Sequence, residues 1–457
     1  MENDYCSPLD ITQIEQNFAD INPELSAAGA MHEANRCLFC YDAPCIKACP
    51  TGIDVPSFIK KIASGNLLGS ARVIFDANPV GASCARVCPV EVLCEGACVE
   101  KTLLKKPIEI GRLQRYATDH ALANDNQIFS KGEPNGKSVG IIGSGPAGLS
   151  CATYLSRLGY DVTLYEKRSQ AGGLDTYGMA EYKMPKSVSL AEVDQIEKLG
   201  VKFVLNTEIS ASSPNGEAGS EPGPMVTGAF RPFTQLSQQH DAVFLATGLG
   251  VTNKLNVPGE NLPGVFDALN FIEQIKTRDW KTIPIGRNVV VIGAGNTAID
   301  AVTQAKRLGA EKVTLVYRRT EKDAPAYDYE MELARKDGIE FMWETTPLEI
   351  HGTSSVTGMS VRQGNAEHEI VCDMVIKAIG QTKTSSFFTD VIGVQTDGNG
   401  RVVVNENMQT SAPKIFAGGD CTNGGAEAVD AAQMGKLAAQ GIHFSLTGER
   451  VKFAGSK

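Results

Sequence analysis

The sequence predicts an α/β fold preceded by a helical, cysteine-rich segment, and three observations support this prediction. Eight of the twelve cysteines fall between Cys37 and Cys98, where helical patterns dominate and strand patterns are few. Two later stretches, 138–168 and 288–319, each have the pattern of a strand, a glycine-rich turn, a helix and a second strand. A third strand–turn–helix pattern follows at 414–442. We therefore expect three regions of about ordinary domain size.

Composition restricts the possible classes of protein. Of 457 residues, 42% are hydrophobic and 21% charged, which is globular composition, and the net charge of −10 leaves no basic patch for a nucleic acid or a membrane surface. The N-terminal residues include acids and no apolar core of a signal peptide, and no stretch approaches the roughly 18 apolar residues of a membrane span. We expect a cytoplasmic protein, in which spaced cysteines are more often metal or redox ligands than disulfides.

The first glycine-rich turn has the spacing Gly143-x-Gly145-x-x-Gly148 between a buried strand and a helix. Such glycines permit a tight turn, the approach of a pyrophosphate and close helix–strand packing, and the helix N-terminus attracts the anion. An acid, Glu166, ends the second strand about 20 residues on, where it would accept from adenosine ribose hydroxyls and repel a 2′-phosphate. The alternative is a glycine-rich turn that binds no ligand.

The second turn, Gly293-x-Gly295-x-x-Ala298, lacks that acid. Arg318 and Arg319 follow its second strand instead. Guanidinium groups suit a 2′-phosphate, so this site is predicted to prefer NADP(H). The alternative is that both arginines are solvated surface charges and that the site uses NAD(H).

The cysteines form two runs. The first is Cys37-x2-Cys40-x4-Cys45-x3-Cys49-Pro, and the second is Cys84-x3-Cys88-Pro-x4-Cys94-x3-Cys98. Thiolates at this density hold 4Fe-4S clusters, and the count of eight matches two clusters. A zinc site would need four ligands, preferably in separated pairs, and a c-type haem would need CxxCH, whereas Tyr41 follows Cys40. The four scattered cysteines, Cys6, Cys151, Cys372 and Cys421, are interpreted as inert or buried thiols.

The C-terminal stretch with Gly418, Gly419 and Asp420 resembles the second FAD fingerprint of flavoproteins with two dinucleotide domains. In that family the aspartate binds the ribityl chain, and 242–248 and 375–381 resemble the two strands that cross between the nucleotide domains. The resemblance implies that FAD is bound by 137–250 together with about 379–457, with the NAD(P) domain inserted between them. The paired cysteine that disulfide reductases place beside the flavin is absent from the sequence, so electrons are expected to leave by another route.

In this order, the cysteine region and the two fingerprints resemble the small subunit of glutamate synthase and its relatives, from about residue 30 onward. These relatives include bifurcating NADPH–ferredoxin oxidoreductases and dihydropyrimidine dehydrogenase. The gap between Cys88 and Cys94 is longer than in glutamate synthase, and the bifurcating enzymes tend to carry Glu where this chain has Gln114. The motif "IGRLQ" resembles that of dihydropyrimidine dehydrogenase, which uses a glutamine as a cluster ligand.

The resemblance implies one cluster on Cys37, Cys40, Cys45 and Cys98, and a second on Cys49, Cys88, Cys94 and Gln114. Cys84 is then spare, contrary to the simple count of eight cysteine ligands. The residues themselves give Gln114 independent support, because a helix over 108–121 places it on an apolar face, where its carbonyl needs a partner. An inward glutamine bonded only to backbone is the alternative.

The resemblance thus implies an N-terminal helical iron–sulfur domain followed by two Rossmann-like dinucleotide-binding domains, the NAD(P) domain inserted in the FAD domain. The expected ranges are 1–130 for two 4Fe-4S clusters, 131–250 and 379–457 for FAD, and 251–378 for NAD(P). The expected cofactor-binding residues are Gly143, Gly145, Pro146, Ala147, Gly148, Glu166, Lys167, Gly173, Leu174, Thr247, Gly248, Gly293, Gly295, Asn296, Thr297, Ala298, Arg318, Arg319, Gly419, Asp420 and Ala428.

The expected function is that of the electron-input subunit of a bacterial dihydropyrimidine dehydrogenase. NAD(P)H would reduce FAD, and two clusters would pass electrons to a partner subunit that carries FMN and iron–sulfur clusters and reduces uracil or thymine. No catalytic residue is assigned, because hydride transfer between stacked rings depends on positioning more than on a protein acid or base. The alternatives are a glutamate synthase small subunit, a subunit of a flavin-bifurcating complex, and a diaphorase without clusters. The loop at 209–228, rich in Gly, Ser and Pro, is expected at the surface.

Overall fold

The computed structural model describes residues 7–210 and 229–456, which form two compact units. One unit comprises Met1–Ile21, Tyr177–Pro185 and Gly250–Thr382, and the other comprises Asn22–Thr176, Lys186–Leu249 and Lys383–Lys457. The first unit is thus built largely from a segment inserted in the second. The predicted boundary at 130 lies inside the second unit and stays a prediction.

Helices account for all regular structure described before residue 138 and continue through both units. They are α1 (Ile11–Asn17), α2 (Ala27–Asn35), α3 (Pro44–Ala48), α4 (Val55–Ala63), α5 (Leu67–Ala77), α6 (Gly81–Val87), α7 (Val99–Leu103), α8 (Ile110–Ala123), α9 (Pro146–Arg157), α10 (Leu174–Tyr177), α11 (Lys186–Lys198), α12 (Phe233–Gln239), α13 (Ala268–Thr277), α14 (Asn296–Leu308), α15 (Asp328–Lys336), α16 (Asp420–Asn423) and α17 (Ala428–Thr447). None of the helices in the described ranges is long and apolar enough to cross a bilayer.

The strands begin at residue 138, where the sequence pattern changes. They are β1 (Ser138–Ile142), β2 (Asp161–Tyr165), β3 (Lys202–Val204), β4 (Thr207–Ser210), β5 (Ala229–Pro232), β6 (Ala242–Leu245), β7 (Val265–Asp267), β8 (Asn288–Ile292), β9 (Lys312–Val316), β10 (Glu340–Met342), β11 (Thr345–Gly352), β12 (Val356–Gln363), β13 (Ala366–Ile370), β14 (Met374–Lys377) and β15 (Ile415–Ala417). The predicted loop at 209–228 is wrong at its start, because residues 209 and 210 end β4. Residues 211–228 lie outside the described residues.

Local sequence explains the N-terminal helices. Asp54 caps α4 by accepting from the backbone N–H of Ser57 at 3.1 Å. The apolar residues Val55, Phe58, Ile59 and Ile62 recur at helical spacing and are all buried in one core with α8. The helix predicted over 108–121 is α8, displaced by two residues at each end.

Each unit contains a five-stranded parallel sheet, which confirms the predicted pair of Rossmann-like folds. The orders are β15-β6-β1-β2-β3 in the second unit and β10-β9-β8-β14-β7 in the first. A three-stranded antiparallel sheet, β11-β12-β13, and a parallel pair, β4-β5, complete the strands described. In both large sheets the strand that carries the glycine-rich turn, β1 or β8, is central. Ligands bind at the carboxyl ends of such strands.

The interpretation of 242–248 and 375–381 as strands crossing between domains is wrong. β6 pairs with β1 inside the five-stranded sheet of the second unit, which is called the flavin-type fold below. β14 pairs with β8 inside the five-stranded sheet of the first unit. An antiparallel bridge within the first unit joins Thr252 and Gln381. The strand residues Ala242–Leu245 and Met374–Ile376 are apolar because they are buried in the cores of their sheets.

A buried ion-pair network ties the segment 177–185 to the rest of the first unit. The ammonium of Lys183 contacts the carboxylates of Asp300 on α14 and Glu330 on α15, and all three side chains are at least nine-tenths buried. Burial lowers the pKa of Lys183, but the two carboxylates raise it above its usual value on balance. The cation therefore fixes two helices of the nucleotide-binding fold.

Lys183→Met should destabilise this unit by about 3–5 kcal/mol, because it leaves two buried carboxylates without a counter-charge. The chain has two tryptophans, Trp280 and Trp343, and both lie in this unit, so thermal unfolding followed by tryptophan fluorescence reports on it. Lys312→Met, which removes a half-exposed pair with Glu340, is the control and should change stability by less than about 1 kcal/mol. Equal unfolding temperatures for both variants would contradict the expectation.

Candidate functional site

The first glycine-rich turn follows β1 and leaves no room for a side chain at two of its three glycines. Gly143 has φ of +100°, and a Cβ there would lie 2.3 Å from the Ala246 carbonyl oxygen. A Cβ on Gly148 would lie 2.1 Å from the carbonyl oxygen of Gly143. Gly145 caps α9 without a side-chain acceptor, and Pro146 is in its first turn. The N–H groups that begin α9 are therefore available to an anion, as a pyrophosphate requires.

Glu166 immediately follows β2 and is directed at this turn. Its side chain is buried, and one oxygen accepts from the Ser144 backbone N–H at 3.1 Å and from the Ser144 hydroxyl at 2.6 Å. Its other oxygen accepts from the Arg168 N–H at 2.9 Å. The carboxylate is thus held in place at the end of β2, with lone pairs left for ribose hydroxyls. Lys167 beside it is exposed.

Two further segments, the turn at Gly173 and the residues after β6, lie at the carboxyl ends of the same strands. A Cβ on Gly173 (φ +60°) would lie 2.6 Å from Gly145 Cα, so the turn that precedes Leu174 passes directly over the first glycine-rich turn. Thr247 and Gly248 follow β6, whose Leu245 pairs with Ile142 of β1. The structure therefore brings these predicted FAD residues together.

The C-terminal fingerprint reaches this edge because β15 pairs with β6, Ala417 opposite Leu245. A Cβ on Gly419 would lie 3.1 Å from the Ala147 side chain at the start of α9. Burial raises the pKa of the next residue, Asp420, whose carboxylate accepts from the Ala426 N–H at 3.2 Å. The long helix α17 starts at Ala428, and a Cβ on Gly419 would also lie 3.7 Å from Ala431 in its first turn. The N-termini of α9 and α17 therefore lie on either side of Gly419.

The second glycine-rich turn, after β8, is built in the same way. Gly293 has φ of +129°, and a Cβ there would lie 2.2 Å from the Ala378 carbonyl oxygen. Gly295 caps α14, and Ala298 is completely buried. The Asn296 side chain accepts from the Tyr327 N–H at 3.2 Å, whereas Thr297 is half-buried. A segment that ends at residue 327 therefore borders this turn.

Arg318 and Arg319 lie just beyond β9, and both are exposed. Within residues 7–210 and 229–456, neither guanidinium forms an ion pair or a hydrogen bond with another side chain. Their donors are therefore open to a ligand at the end of the second strand, where a 2′-phosphate would lie.

Three cysteines of the first run and one of the second line a single pocket. They are Cys37, Cys40, Cys45 and Cys98. Its remaining walls are mainly aliphatic and include Ile59, Ile108 and Ile110. Burial, with the thiolates of Cys98 and Cys37, raises the pKa of Cys45 to about 12. A cavity lined with four thiols and apolar walls fits a 4Fe-4S cluster.

A second group of thiols lies between α3, α6 and α7. The hydrogen bond with Cys84 is the largest cause that raises the pKa of Cys88. Burial and the neighbouring charges of Cys94 and Cys49 raise this pKa further. Gln114 is buried on α8, and its amide nitrogen donates to the Gly81 carbonyl at 2.8 Å. That bond uses the donor end of the amide and leaves the carbonyl oxygen as the end that could bind iron. The donor set of three thiols and an amide oxygen fits a second cluster.

The remaining described cysteines lie apart from the first pocket and are buried. Cys84 is 2% exposed and packs in the core of the flavin-type fold. Cys151, Cys372 and Cys421 are buried, as expected for inert thiols, and Cys6 lies outside the described residues. In the described part of the chain, no three His, Cys, Asp or Glu side chains converge as they would for a single metal ion.

Comparison with known proteins gives matches along the whole chain. The family model of pyridine nucleotide–disulphide oxidoreductases matches residues 93–231 and 137–435, and that of dihydropyrimidine dehydrogenase domain II, with its 4Fe-4S cluster, matches 14–126. The NAD-dependent dihydropyrimidine dehydrogenase subunit PreT of Escherichia coli is 34% identical over 95% of this chain and 98% of its own length. The chain belongs to the PreT and glutamate synthase small-chain family. The glutamate synthase [NADPH] small chain of E. coli is 32% identical over 95% of each chain.

A solved structure of another protein supports the fold of this family member. Thioredoxin reductase of Lactococcus lactis covers 68% of the chain, and all of that enzyme is matched, with a TM-score of 0.54 at 23% identity. The family prediction is confirmed, and the chain is an oxidoreductase with FAD, NAD(P) and 4Fe-4S domains. Assignments of single residues to a cofactor stay predictions.

Sequence reasoning missed the buried charges of this family member. Lys436 on α17 is completely buried, and Glu192 on α11 accepts from the backbone N–H groups of Ala82 and Ser83 at the start of α6. The burial of Lys436 could have been predicted from the sequence, because Lys436 lies on one helical face with Ala432 and Ala439.

Proposed function

We propose that this chain is the NAD(P)H-oxidising subunit of a dihydropyrimidine dehydrogenase. Its FAD would take a hydride from NAD(P)H, and two 4Fe-4S clusters would carry single electrons to a partner subunit with FMN and iron–sulfur clusters. That partner would reduce the 5,6-double bond of uracil or thymine. Support comes from the 34% identity to PreT over nearly the full length of both chains.

The observation that carries this proposal is the orientation of Gln114. Its amide nitrogen donates to the Gly81 carbonyl at the start of α6, the helix whose other end precedes Cys88, so its carbonyl oxygen is the end that would bind iron. By the family resemblance, a glutamine ligand is the feature of dihydropyrimidine dehydrogenase. The glutamine at position 114 therefore favours a dihydropyrimidine dehydrogenase over a flavin-bifurcating complex.

The chain's own residues bind and orient the two nucleotides. The N-terminus of α9 and the fixed carboxylate of Glu166 would hold the adenosine half of FAD, and Asp420 its ribityl chain. Arg318 and Arg319 would bind the 2′-phosphate of NADP(H), which is therefore the proposed preferred donor. The two thiol groups would hold the clusters, through which electrons leave without a cysteine pair beside the flavin.

The glutamate synthase small chain is the second candidate, because its identity of 32% is nearly as high. The experiment is an assay of the complex copurified anaerobically from its host. NADPH and NADH oxidation are measured separately with uracil or thymine, and then with 2-oxoglutarate plus glutamine. Dye reduction by NADPH is the control that the flavin half is active.

We expect oxidation that depends on the pyrimidine and is faster with NADPH. Oxidation only with 2-oxoglutarate plus glutamine would overturn the proposal in favour of a glutamate synthase. Iron near zero in anaerobically prepared protein, with dye reduction intact, would favour a diaphorase without clusters.

A further inference from the structure

Lys436 lies in the middle of α17 and has no exposure to solvent. Its ammonium donates to three backbone carbonyls, those of Thr51 and Ala77 at 2.8 Å and of Ala454 at 2.9 Å. These carbonyls come from the segment after Cys49, the end of α5 and the C-terminal tail. One side chain of the flavin-type fold therefore joins three segments around the second thiol group.

This ammonium has no carboxylate partner among the residues described. Burial lowers the pKa of Lys436 to about 8, whereas the thiolate of Cys49 and the carboxylate of Asp76 act to raise it. The three carbonyl acceptors use all three N–H donors of an ammonium, so the geometry indicates the charged form. Burying an ammonium without a counter-ion is costly unless a negative group lies nearby.

Besides the Asp76 carboxylate, the candidate for that negative group is the second cluster. The hydroxyl of Thr51, whose carbonyl binds Lys436, lies 3.4 Å from Cys49 Sγ. Cys49 is one of the thiols proposed to hold this cluster, and thiolate ligands carry negative charge. The ammonium and the cluster would thus be joined through a single residue.

The C-terminal tail closes this region against water. A Cβ on Gly52 would lie only 2.5 Å from the Gly455 carbonyl oxygen, so these two segments of the chain are in direct contact. Phe453 stacks on Tyr154 with ring centroids 4.3 Å apart. Charges act more strongly on each other where water is excluded.

The same helix also begins at the flavin site. Ala428 is its first residue, and Lys436 is eight residues further on, a rise of about 12 Å. The charge therefore lies between the site proposed for FAD and the thiols proposed for the second cluster.

We propose that Lys436 is a positioning residue for electron transfer, whose buried positive charge stabilises the added electron on the cluster held by Cys49. The charge raises the reduction potential of that cluster and so favours electron flow from the flavin. This inference rests on the second cluster of the proposed function, but not on the pyrimidine substrate.

The test is a redox titration of the anaerobic holoprotein, followed by electron paramagnetic resonance. Lys436→Met removes charge and donors, Lys436→Gln removes the charge but keeps donors, and Lys436→Arg keeps both. At the wild-type midpoint potential we expect the ratio of reduced to oxidised Cys49 cluster to fall at least tenfold in the Met and Gln variants, or 59 mV for one electron. The Arg variant should recover most of this loss.

The Cys98→Ser background, which is expected to lack the other cluster, assigns the signal. Lys202→Met removes an exposed ammonium and should leave the midpoint unchanged.

An unchanged midpoint in the Gln variant with full iron and flavin would overturn the proposal. Loss of iron from the Gln variant while the Arg variant keeps it would also overturn it, because the role would then be structural. A wild-type protein with one cluster would instead refute the proposed function itself, and the iron content shows this separately.

Discussion

Replacing Cys98 by serine should remove about half of the iron from the anaerobic holoprotein, from about eight to about four atoms per chain. Cys98 lines the pocket formed by Cys37, Cys40 and Cys45, so losing it leaves one cluster with three ligands. FAD should remain bound, since the flavin residues lie on other segments. NADPH-dependent dye reduction should persist, whereas electron delivery to the partner subunit should be lost.

Iron and flavin analysis of the purified variant makes this measurement. Cys372→Ser is the matched control, because that buried thiol lies in the other unit and should not affect iron. Full iron in the Cys98→Ser protein would contradict the assignment of the first cluster.

The same analysis decides the fourth ligand of the second cluster. We expect Gln114→Ala to lower the iron content or change the spectrum of that cluster, and Cys84→Ala to leave both unchanged. The opposite result would show that Cys84, which is hydrogen-bonded to Cys88, is the ligand and that Gln114 is a structural residue bonded to Gly81.

The double substitution Arg318→Ala and Arg319→Ala should raise KM for NADPH by about 100-fold. Each hydrogen bond to a charged group is worth about 1.5–3 kcal/mol, and 1.4 kcal/mol corresponds to a factor of ten. KM for NADH should change by less than about threefold, because NADH has no 2′-phosphate. Both constants are measured with a dye acceptor, which separates nucleotide binding from later electron transfer.

Arg362→Ala provides the control, since it removes an exposed guanidinium of the same unit that pairs with Glu367 on a neighbouring strand. It should leave both constants unchanged. Equal changes for NADPH and NADH in the double variant, or none, would mean that the arginines do not select the 2′-phosphate and that NAD(H) is the donor.

Local sequence predicted the glycine-rich turns and most of the helices around them. Gly143 and Gly293 could be recognised because their positive φ and the absence of space for a Cβ leave glycine as the residue that fits. The cysteine runs could be recognised because their spacing is close. The spacing of the glycines and of the cysteines is visible along the chain, although the atoms that exclude a Cβ at Gly143 and Gly293 belong to the distant Ala246 and Ala378.

The boundaries and partners of distant segments were harder to predict. The strands at 242–248 and 375–381 have the same apolar pattern whether they cross between domains or lie inside a sheet, and pairing alone shows that they belong to two sheets. Likewise, burial of Lys183 depends on carboxylates more than 110 residues away along the chain.

The sequence by itself determined that this chain has two nucleotide-type folds and a thiol-rich helical region, because these depend on local spacing. The family resemblance predicted how the thiols divide, and the tertiary structure shows which distant thiols lie together. Cys98 joins a pocket with Cys37, more than 60 residues earlier, while Cys84 turns into the flavin core. It also decided that Lys436 lies beside the segment after Cys49, since contacts between distant segments depend on packing, which no local pattern records.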